Sequence, residues 1–339
     1  NHIEEADFCL IIGSNPRIEA PMVFARIRKA FFRNNLEIAL IGEQVDLNYE
    51  HHYLGDDPKI LEKIADSDHP IAKKLDQAQK PIIIVGVDLY KRSDKDAILY
   101  QLKDIIKKYN IVNEEFNGFN VLHIAAARVA GLDMDFVPQD KNIQSINDIY
   151  DAIDKKSIDL VYLLGADEID VKRLKNAFVI YQGHHGDKGA QHADVILPGS
   201  AYTEKNGTYM NTEGLMQRGL RSVFPPGEAK EDWRIIRALA NYMDVELKYN
   251  SIEELRGELS NQYPIFAEEN LFNYNILASK ITNIDNDILS DIKKDVIENK
   301  AFKKTIENFY MTDAISRASK TMAECSKMLK TNVKHSQTT

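Results

Sequence analysis

The segment from residue 193 to residue 217 holds most of the side chains that could bind a ligand or take part in a reaction. An apolar run at 195–197 stops at Pro198-Gly199, which predicts a strand that ends in a sharp turn. Asn206-Gly207 then predicts the entry into a β-hairpin arm. Polar groups line up just beyond that strand end at Glu204, Asn211, Glu213 and Gln217. Because open α/β sheets hold ligands beyond the carboxyl ends of their strands, the pattern predicts a ligand crevice.

The first predicted strand, residues 8–12, leads into the turn Gly13-Ser14-Asn15-Pro16. A strand that ends in glycine and small polar residues ahead of a helix can hold a phosphate with its backbone N–H groups. The turn has one glycine, so it matches neither the dinucleotide-binding fingerprint nor the P-loop. The same residues are also compatible with a tight turn that Asn15-Pro16 opens without a ligand.

A group of histidines lies just before the 193–217 segment. His184, His185 and His192 offer imidazole ligands, and Asp187 and Asp194 add carboxylates. Adjacent side chains of an extended segment point to opposite faces, so His184 and His185 are not expected to bind the same ion. The spacing fits no metal motif, and structural hydrogen bonding is the favoured interpretation.

The two cysteines are predicted to be small core residues, Cys9 in an apolar strand and Cys325 on the apolar side of a helix. They form no disulfide framework, and an iron–sulfur cluster held by cysteines alone needs four thiolates. Glu204, Glu213 and Asp167 are too scattered to be assigned as a general acid and base. No residue is therefore predicted to be catalytic, to bind a cofactor or to ligate a metal.

The elements that would position these side chains are predicted from apolar runs. Strands without polar alternation are buried on both faces, as in parallel sheets covered by helices. Alternation of such strands with helical patterns predicts a doubly wound α/β fold with mostly parallel sheets in two lobes, followed by a helical C-terminal extension. The six runs are 8–12, 38–41, 82–85, 160–164, 178–181 and 195–197.

Three helices are predicted from apolar residues spaced three and four apart. The first begins after Ser93 as its cap, and the second follows Pro225-Pro226-Gly227. The third is predicted to bury one continuous face. Their apolar positions are Ile98, Leu102, Ile105 and Ile106 in the first, Trp233, Ile236, Leu239 and Met243 in the second, and Ile315, Ala318, Met322, Cys325 and Leu329 in the third.

The length of 339 residues predicts more than one lobe. We place a first α/β lobe at 1–140, a second at 141–250 and a helical extension with a tail at 251–339. The net charge of −9 argues against nucleic-acid binding, and no apolar run approaches the length of a membrane span. The start at Asn1, without methionine or a signal pattern, predicts a piece of a longer protein.

The 193–217 segment resembles a signature of the molybdopterin oxidoreductase superfamily. The matching residues are Ala-Asp-Val-Ile-Leu-Pro at 193–198, Glu204, and Gly-Thr-Tyr-Met-Asn-Thr-Glu-Gly at 207–214. The superfamily usually has arginine at the next position, where this chain has Leu215. Leucine lacks the planar set of donors that a guanidinium presents, so the resemblance implies a retained fold with a weakened cofactor site.

Two loops extend the resemblance. The turn 13–16, followed by Ala20-Pro21, is similar to the superfamily loop that contacts the pterin nucleotide. Active members also carry an acidic or Asp-Pro-Arg-like element after the second strand, which reads the nucleotide. Here that place is Gly42-Glu43-Gln44-Val45-Asp46, which offers Glu43 but no basic residue.

Three further segments, 181–187, 227–239 and 308–319, look like the family of the largest iron–sulfur subunit of respiratory complex I, of the mitochondrial and alphaproteobacterial type. The resemblance implies iron–sulfur clusters in an upstream part and no redox cofactor in this part. It further implies a structural lobe of the peripheral arm that supports electron transfer from NADH to quinone. The expected partners are other peripheral-arm subunits, without nucleic acid and without direct membrane insertion. The expected location is the cytoplasmic face of the bacterial inner membrane, or the matrix side in mitochondria.

Two alternatives stay open at this point. One is part of a molybdopterin-dependent oxidoreductase of the formate dehydrogenase type, which would bind molybdenum or tungsten. The other is the central domain of a thiamine-diphosphate enzyme, because Lys80-Pro81-Ile82-Ile83-Ile84-Val85-Gly86 is similar to the entry into a strand of that domain.

Overall fold

The computed structural model describes residues 2–113, 115–140, 142–143, 145–267, 292, 294–303 and 305–336. These residues form two compact units. The first comprises 1–128, 212–214 and 272–307, and the second comprises 129–211, 215–271 and 308–339. The lobe boundaries at 140 and 250 stay a prediction from the sequence, and part of the predicted extension, at 268–291, lies outside the described residues.

The first unit is built on a five-stranded parallel sheet. Its strands are β1 (Phe8–Ile12), β2 (Glu37–Ile41), β3 (His52–Gly55), β4 (Pro81–Gly86) and β5 (Phe119–Leu122). The strand order is β3-β2-β1-β4-β5, so the winding reverses between β1 and β4. This is a doubly wound arrangement, whose ligand crevice lies at the carboxyl ends of the strands on either side of that reversal.

Helices cover both faces of this sheet. They are α1 (Pro16–Glu19), α2 (Pro21–Asn34), α3 (Ile60–Ala65), α4 (Pro70–Gln77) and α5 (Lys95–Lys108). Every residue of β1 and β4 is buried, as apolar runs without alternation predict. The four apolar positions predicted for α5 are also buried. Burial of one such side chain stabilises the fold by roughly 1.5–3 kcal/mol.

The second unit has a three-stranded parallel sheet in the order β6-β7-β8. The strands are β6 (Leu160–Leu164), β7 (Phe178–Gly183) and β8 (Val195–Pro198). A hairpin of β9 (Gly207–Met210) and β10 (Met216–Gly219) follows. The helices are α6 (Arg128–Asp133), α7 (Ile146–Asp154), α8 (Lys188–Gln191), α9 (Asp232–Tyr242), α10 (Ile252–Gln262), α11 (Ala314–Ala318) and α12 (Lys320–Ser336).

The strands of the second unit are not buried on both faces, which corrects the prediction from their apolar runs. One face packs in a core cluster that includes Tyr150 and Ile153 of α7. On the opposite face, four large apolar side chains are between 38% and 54% exposed. We call them the open face: Leu160, Leu164, Phe178 and Val195. An unbroken apolar run therefore did not distinguish a strand covered twice from one covered once.

Two helix predictions were wrong in detail. Ser93 does not cap α5, because its Oγ donates instead to Oε1 of Glu298 at 2.7 Å. The predicted last helix is divided at Ser319, whose backbone is extended and whose Oγ accepts a hydrogen bond from the N–H of Met322 at 3.3 Å. Leu329 is 39% exposed, so the apolar stripe is not one continuous buried face. None of the helices in the described part of the chain combines the length and apolarity that a membrane crossing needs.

Candidate functional site

Three glycines let the carboxyl ends of the central strands of the first unit converge. Gly13 follows β1 at a φ of 58°, a left-handed value that favours glycine. Its N–H donates to the carbonyl oxygen of Ile41 at 2.8 Å. A Cβ on Gly86, at the end of β4, would lie 2.1 Å from the carbonyl oxygen of Gly13. A Cβ on Gly42, after β2, would lie 3.4 Å from the Cα of Gly13.

Two hydrogen-bond donors of the turn after β1 are already used within the chain. The Oγ of Ser14 and the N–H of Asn15 donate to the two carboxylate oxygens of Glu19, at 2.9 and 2.7 Å. Burial raises the pKa of Glu19 above its ordinary value. The turn that was predicted to be able to hold a phosphate therefore holds a carboxylate of the same protein. Glu19 was not selected from the sequence, although its position four residues after Asn15 was a usable signal.

An aromatic ring fills the space above Gly13. A Cβ on Gly13 would lie 2.9 Å from Cδ1 of Phe302, which is 6% exposed. The backbone N–H of Phe302 donates to the carbonyl oxygen of Asp56 at 3.1 Å. The cleft left beside it has a cavity volume of about 20 Å³ and is lined by groups that include Ser14, Glu43 and Lys303.

A pterin cofactor with its nucleotide does not fit the residues present at this crevice. The ring of Phe302 occupies the approach to Gly13, and Glu19 accepts from two of the donors that a phosphate could use. The remaining cleft carries the carboxylate of Glu43, which repels a phosphate, beside one ammonium group, that of Lys303.

The segment that carries Phe302 is held by a buried ion pair. The guanidinium of Arg92 donates to both carboxylate oxygens of Asp94, at 2.7 and 2.8 Å, and lies 5.2 Å from the centre of the Phe302 ring. The N–H of Glu298 also donates to Asp94, at 3.0 Å. Burial pushes the pKa of Asp94 upward, but these hydrogen bonds outweigh it and leave the pKa below its ordinary value.

Acid is expected to destabilise the first unit through Asp94. A lowered pKa in the folded state contributes stability that is complete above the ordinary value of 3.8 and disappears as the pH falls through the folded value. The free energy of unfolding should therefore decrease as the pH is lowered below about 4. We expect Asp94→Asn to lose roughly 1.5–3 kcal/mol at pH 7 and to flatten the acid slope. Urea titrations from pH 7 to pH 3 measure both effects, and the exposed Asp96→Asn is the control. An unchanged acid slope in Asp94→Asn would show that this anchor is unimportant.

Two of the four polar side chains predicted to line a crevice in the 193–217 segment fix its own backbone. A carboxylate oxygen of Glu204 accepts from the N–H of Ala201 at 3.0 Å. The Oδ1 of Asn211 accepts from the N–H of Leu215 at 2.9 Å, which closes the turn between β9 and β10. Gln217 is exposed on β10, and Glu213 is half-buried. Glu204 and Asn211 therefore determine the shape of the turns beyond β8, and Leu215 lies within one of them.

A buried amide at the end of β7 was not selected from the sequence. Gln182 is fully buried, and its Nε2 donates to Oδ1 of Asp232 at 2.9 Å. Its Oε1 accepts from the hydroxyl of Tyr162, and Asp232 also pairs with Lys205. Burial, followed by the Asp232 carboxylate, raises the pKa of Tyr162. A lone glutamine in an otherwise apolar strand was the available signal.

The two adjacent histidines face each other rather than opposite sides, which corrects the prediction. The Nδ1 atoms of His184 and His185 lie 2.8 Å apart, because the chain bends after Gly183 instead of continuing as a strand. Burial, followed by the charges of His185 and Lys205, lowers the pKa of His184. A neutral imidazole suits this contact, since one ring must donate and the other accept.

The other candidate ligands have structural partners. Asp187 pairs with Arg317 at 2.5 Å, Asp194 accepts from the N–H of Val179 at 2.8 Å, and Nδ1 of His192 contacts the carbonyl oxygen of Lys188 at 3.1 Å. Asp167 accepts from the hydroxyl of Tyr181 and the N–H of Gly189. Within the described residues, no three His, Cys, Asp or Glu side chains form a group that could hold a metal ion.

The two cysteines differ in burial. Cys9 is fully buried in β1, as predicted, and burial raises the pKa of its thiol. Cys325 is half-buried, so its predicted place in the core is only partly realised.

Comparison with known families gives two matches in this chain. The molybdopterin oxidoreductase family matches residues 1–242. The C-terminal domain of the G subunit of NADH-ubiquinone oxidoreductase matches residues 278–325, and we call this the complex I match. The first match covers the whole five-stranded sheet and the 193–217 segment. The complex I match covers Phe302 and its neighbours.

Curated relatives agree with both matches. The mitochondrial NADH dehydrogenase (ubiquinone) iron-sulfur protein 1 of Solanum tuberosum is 41% identical over 97% of this chain and 42% of its own length. The 78 kDa subunit of NADH-ubiquinone oxidoreductase of Candida albicans is 43% identical over 95% of this chain and 43% of its own length. The G subunit of NADH-quinone oxidoreductase of Rickettsia bellii is 43% identical over 95% of this chain and 44% of its own length. The chain thus spans less than half the length of these relatives.

Among solved structures, acetylene hydratase from Pelobacter acetylenicus aligns with a TM-score of 0.44 at 12% identity, over 71% of this chain and 48% of that chain. The resemblance to the largest iron–sulfur subunit of complex I that the sequence predicts is confirmed by the family matches and the relatives, and the chain belongs to the molybdopterin oxidoreductase family.

Proposed function

We propose that this chain is a structural lobe of the peripheral arm of an NADH–quinone oxidoreductase and that it holds no redox cofactor of its own. The main support for the proposal is its identity of 41–43% to complex I subunits over at least 95% of the chain. In this role the lobe supports electron transfer from NADH to quinone by positioning other parts of the enzyme. It acts at the membrane surface as a peripheral component.

The chemistry of the candidate site supports a structural role. Two turn donors after β1 are taken by Glu19, and Glu204 and Asn211 beyond β8 accept from backbone of their own segment. The chain has two cysteines, whereas a cluster held by cysteine thiolates alone needs four. We propose that the iron–sulfur clusters lie in the part of the subunit that this chain does not span.

The open face of the second unit supports binding to other subunits. Leu160, Leu164, Phe178 and Val195 present apolar surface on neighbouring strands. We propose that these side chains form one apolar patch, which is typical of a protein interface. We propose that this face contacts peripheral-arm subunits, and that neither nucleic acid nor a lipid bilayer is its partner.

The family match to residues 1–242 keeps one alternative, a molybdopterin-dependent oxidoreductase of the formate dehydrogenase type. Purification of the parent subunit through an affinity tag distinguishes the two. We expect the peripheral-arm subunits to elute with it in equal amounts and to retain NADH oxidation. Elution as a separate enzyme, without those subunits and with formate-dependent dye reduction, would contradict the proposal.

A further inference from the structure

The crevice at the ends of β1 and β2 and the segment that fills it come from different family matches. The strands and their turns lie within the molybdopterin oxidoreductase match at 1–242. Residues 297–303, which we call the crevice segment, lie within the complex I match at 278–325. Both belong to the first unit, so their contact is a property of one compact body.

The crevice segment is packed as core and not laid over the surface. Ile297 is 1% exposed and Phe302 is 6% exposed, and both join the core cluster formed by β1, β2 and β4 with α3 and α5. Phe302 contacts Gly13 so closely that a Cβ on that glycine would be 2.9 Å from the ring. A Cβ on Gly42 would also reach Phe302, at 4.0 Å.

Polar contacts fix the segment at both ends. The N–H of Glu298 donates to Asp94, and its carboxylate accepts from Ser93. The N–H of Phe302 donates to the carbonyl oxygen of Asp56, and the guanidinium of Arg92 donates to the carbonyl oxygen of Ala301 at 3.3 Å. These donors and acceptors belong to loops that follow strands, the place where doubly wound folds bind ligands.

A second group, the carboxylate of Glu19, occupies the crevice at the turn after β1. Glu19 accepts hydrogen bonds from Ser14 and Asn15, the donors that face an anion after a first strand. A carboxylate of the chain thus takes the position of an anionic ligand, while an apolar ring takes the adjoining space. Both features come from side chains, whereas the strand and turn backbone keeps the geometry of a binding fold.

We propose that the crevice segment is an intramolecular plug that, together with Glu19, occupies the crevice in place of a nucleotide-bearing ligand. Phe302 supplies the apolar volume, and Glu19 supplies the negative charge at the turn. The fold keeps its sheet because the plug completes the core that a ligand would otherwise complete. This inference rests on the geometry of the first unit and does not depend on which complex the chain joins.

Hydrogen exchange of the parent subunit tests the plug. In the wild type we expect the amides of Glu298 and Phe302 to be protected. Phe302→Ala removes the ring and should make the crevice open more often. Amides at 10–19 and 38–46 whose exchange requires this opening should then exchange roughly 100-fold faster. Phe302→Leu should restore most of the protection, because it restores apolar volume. The exposed Phe32→Ala, in the same unit, is the control and should leave these regions unchanged.

Two kinds of result would overturn the plug, one from hydrogen exchange and one from ligand binding. The first is exchange of 297–303 in the wild type at the rate of an unstructured chain, or no change at 10–19 and 38–46 in Phe302→Ala. The second is a rise of several degrees in the melting temperature of the wild type with about 1 mM GMP or pyrophosphate, with lost protection at 297–303, since a ligand that binds the folded state stabilises it. No rise with either probe supports the plug.

Discussion

Replacing Gly86 with alanine is expected to unfold the first unit or to lower its free energy of unfolding by about 3 kcal/mol or more. The added Cβ would lie 2.1 Å from the carbonyl oxygen and 2.9 Å from the carbonyl carbon of Gly13. Both atoms are backbone, so no side chain can rotate away to relieve the clash. The ends of β1 and β4 would have to separate, and the turn that contacts Phe302 would move with them. Urea unfolding followed by circular dichroism measures the loss.

Gly186→Ala is the matched control for this substitution. A Cβ at Gly186 meets no atom within 4 Å, and the residue does not have a left-handed φ. We expect a change within about 0.5 kcal/mol. Equal stability of Gly86→Ala and the wild type would mean that the ends of β1 and β4 are farther apart than the structure places them.

Introducing aspartate at two positions of the open face is expected to prevent assembly without unfolding the chain. Leu164 and Phe178 are 49% and 47% exposed, so carboxylates there remain hydrated in the free protein. In an assembled arm the same carboxylates would be desolvated without partners. We expect the double variant Leu164→Asp with Phe178→Asp to reduce the assembled fraction of the parent subunit by roughly tenfold or more.

Native gel electrophoresis of the respiratory complexes measures the assembled fraction, and thermal unfolding of the free variant measures its stability. Leu220→Asp with Val223→Asp is the control, because both side chains are exposed and lie outside the three-stranded sheet. Normal assembly of the Leu164 and Phe178 variant would show that the open face is not a subunit interface. A large loss of stability would instead show that this face is part of the folded core.

The positions of six strands were predicted well because short unbroken apolar runs favour strands. Phe8–Ile12 and Leu160–Leu164 have the bounds that their runs indicated, and 38–41, 82–85, 178–181 and 195–197 each lie within a strand. The edge strand His52–Gly55 was missed, since it is half exposed and contains no apolar run. β5 (Phe119–Leu122) was missed because Asn120 interrupts its run.

The site was harder to predict because it depends on contacts between distant residues. The turn 13–16 was identified from its own residues, but its occupants were not. Phe302 lies 289 positions after Gly13, and no sequence pattern connects the two residues. Glu19 resembles any acid in a first helical turn until its hydrogen bonds to Ser14 and Asn15 are seen.

The 193–217 segment shows why a signature predicts a fold more securely than a reaction. Its match to the molybdopterin oxidoreductase family is confirmed. The structure explains part of that match in backbone terms, because Glu204 and Asn211 hold turns in place. Such residues are needed whether or not a cofactor binds. A fold of this kind can therefore persist while its crevice changes use.

The cofactor content of this chain decides most directly whether it is a lobe without redox chemistry of its own. For this measurement the chain is produced in cells that make both iron–sulfur clusters and the molybdenum cofactor, and it is purified by gel filtration. Mass spectrometry of the metals and fluorescence of oxidised pterin measure molybdenum, tungsten, iron and pterin together. We expect well below one equivalent of each, roughly a tenth or less per chain, because Phe302 and Glu19 occupy the crevice and the chain lacks four thiolates. One molybdenum or tungsten per chain, accompanied by pterin, would contradict a cofactor-free lobe.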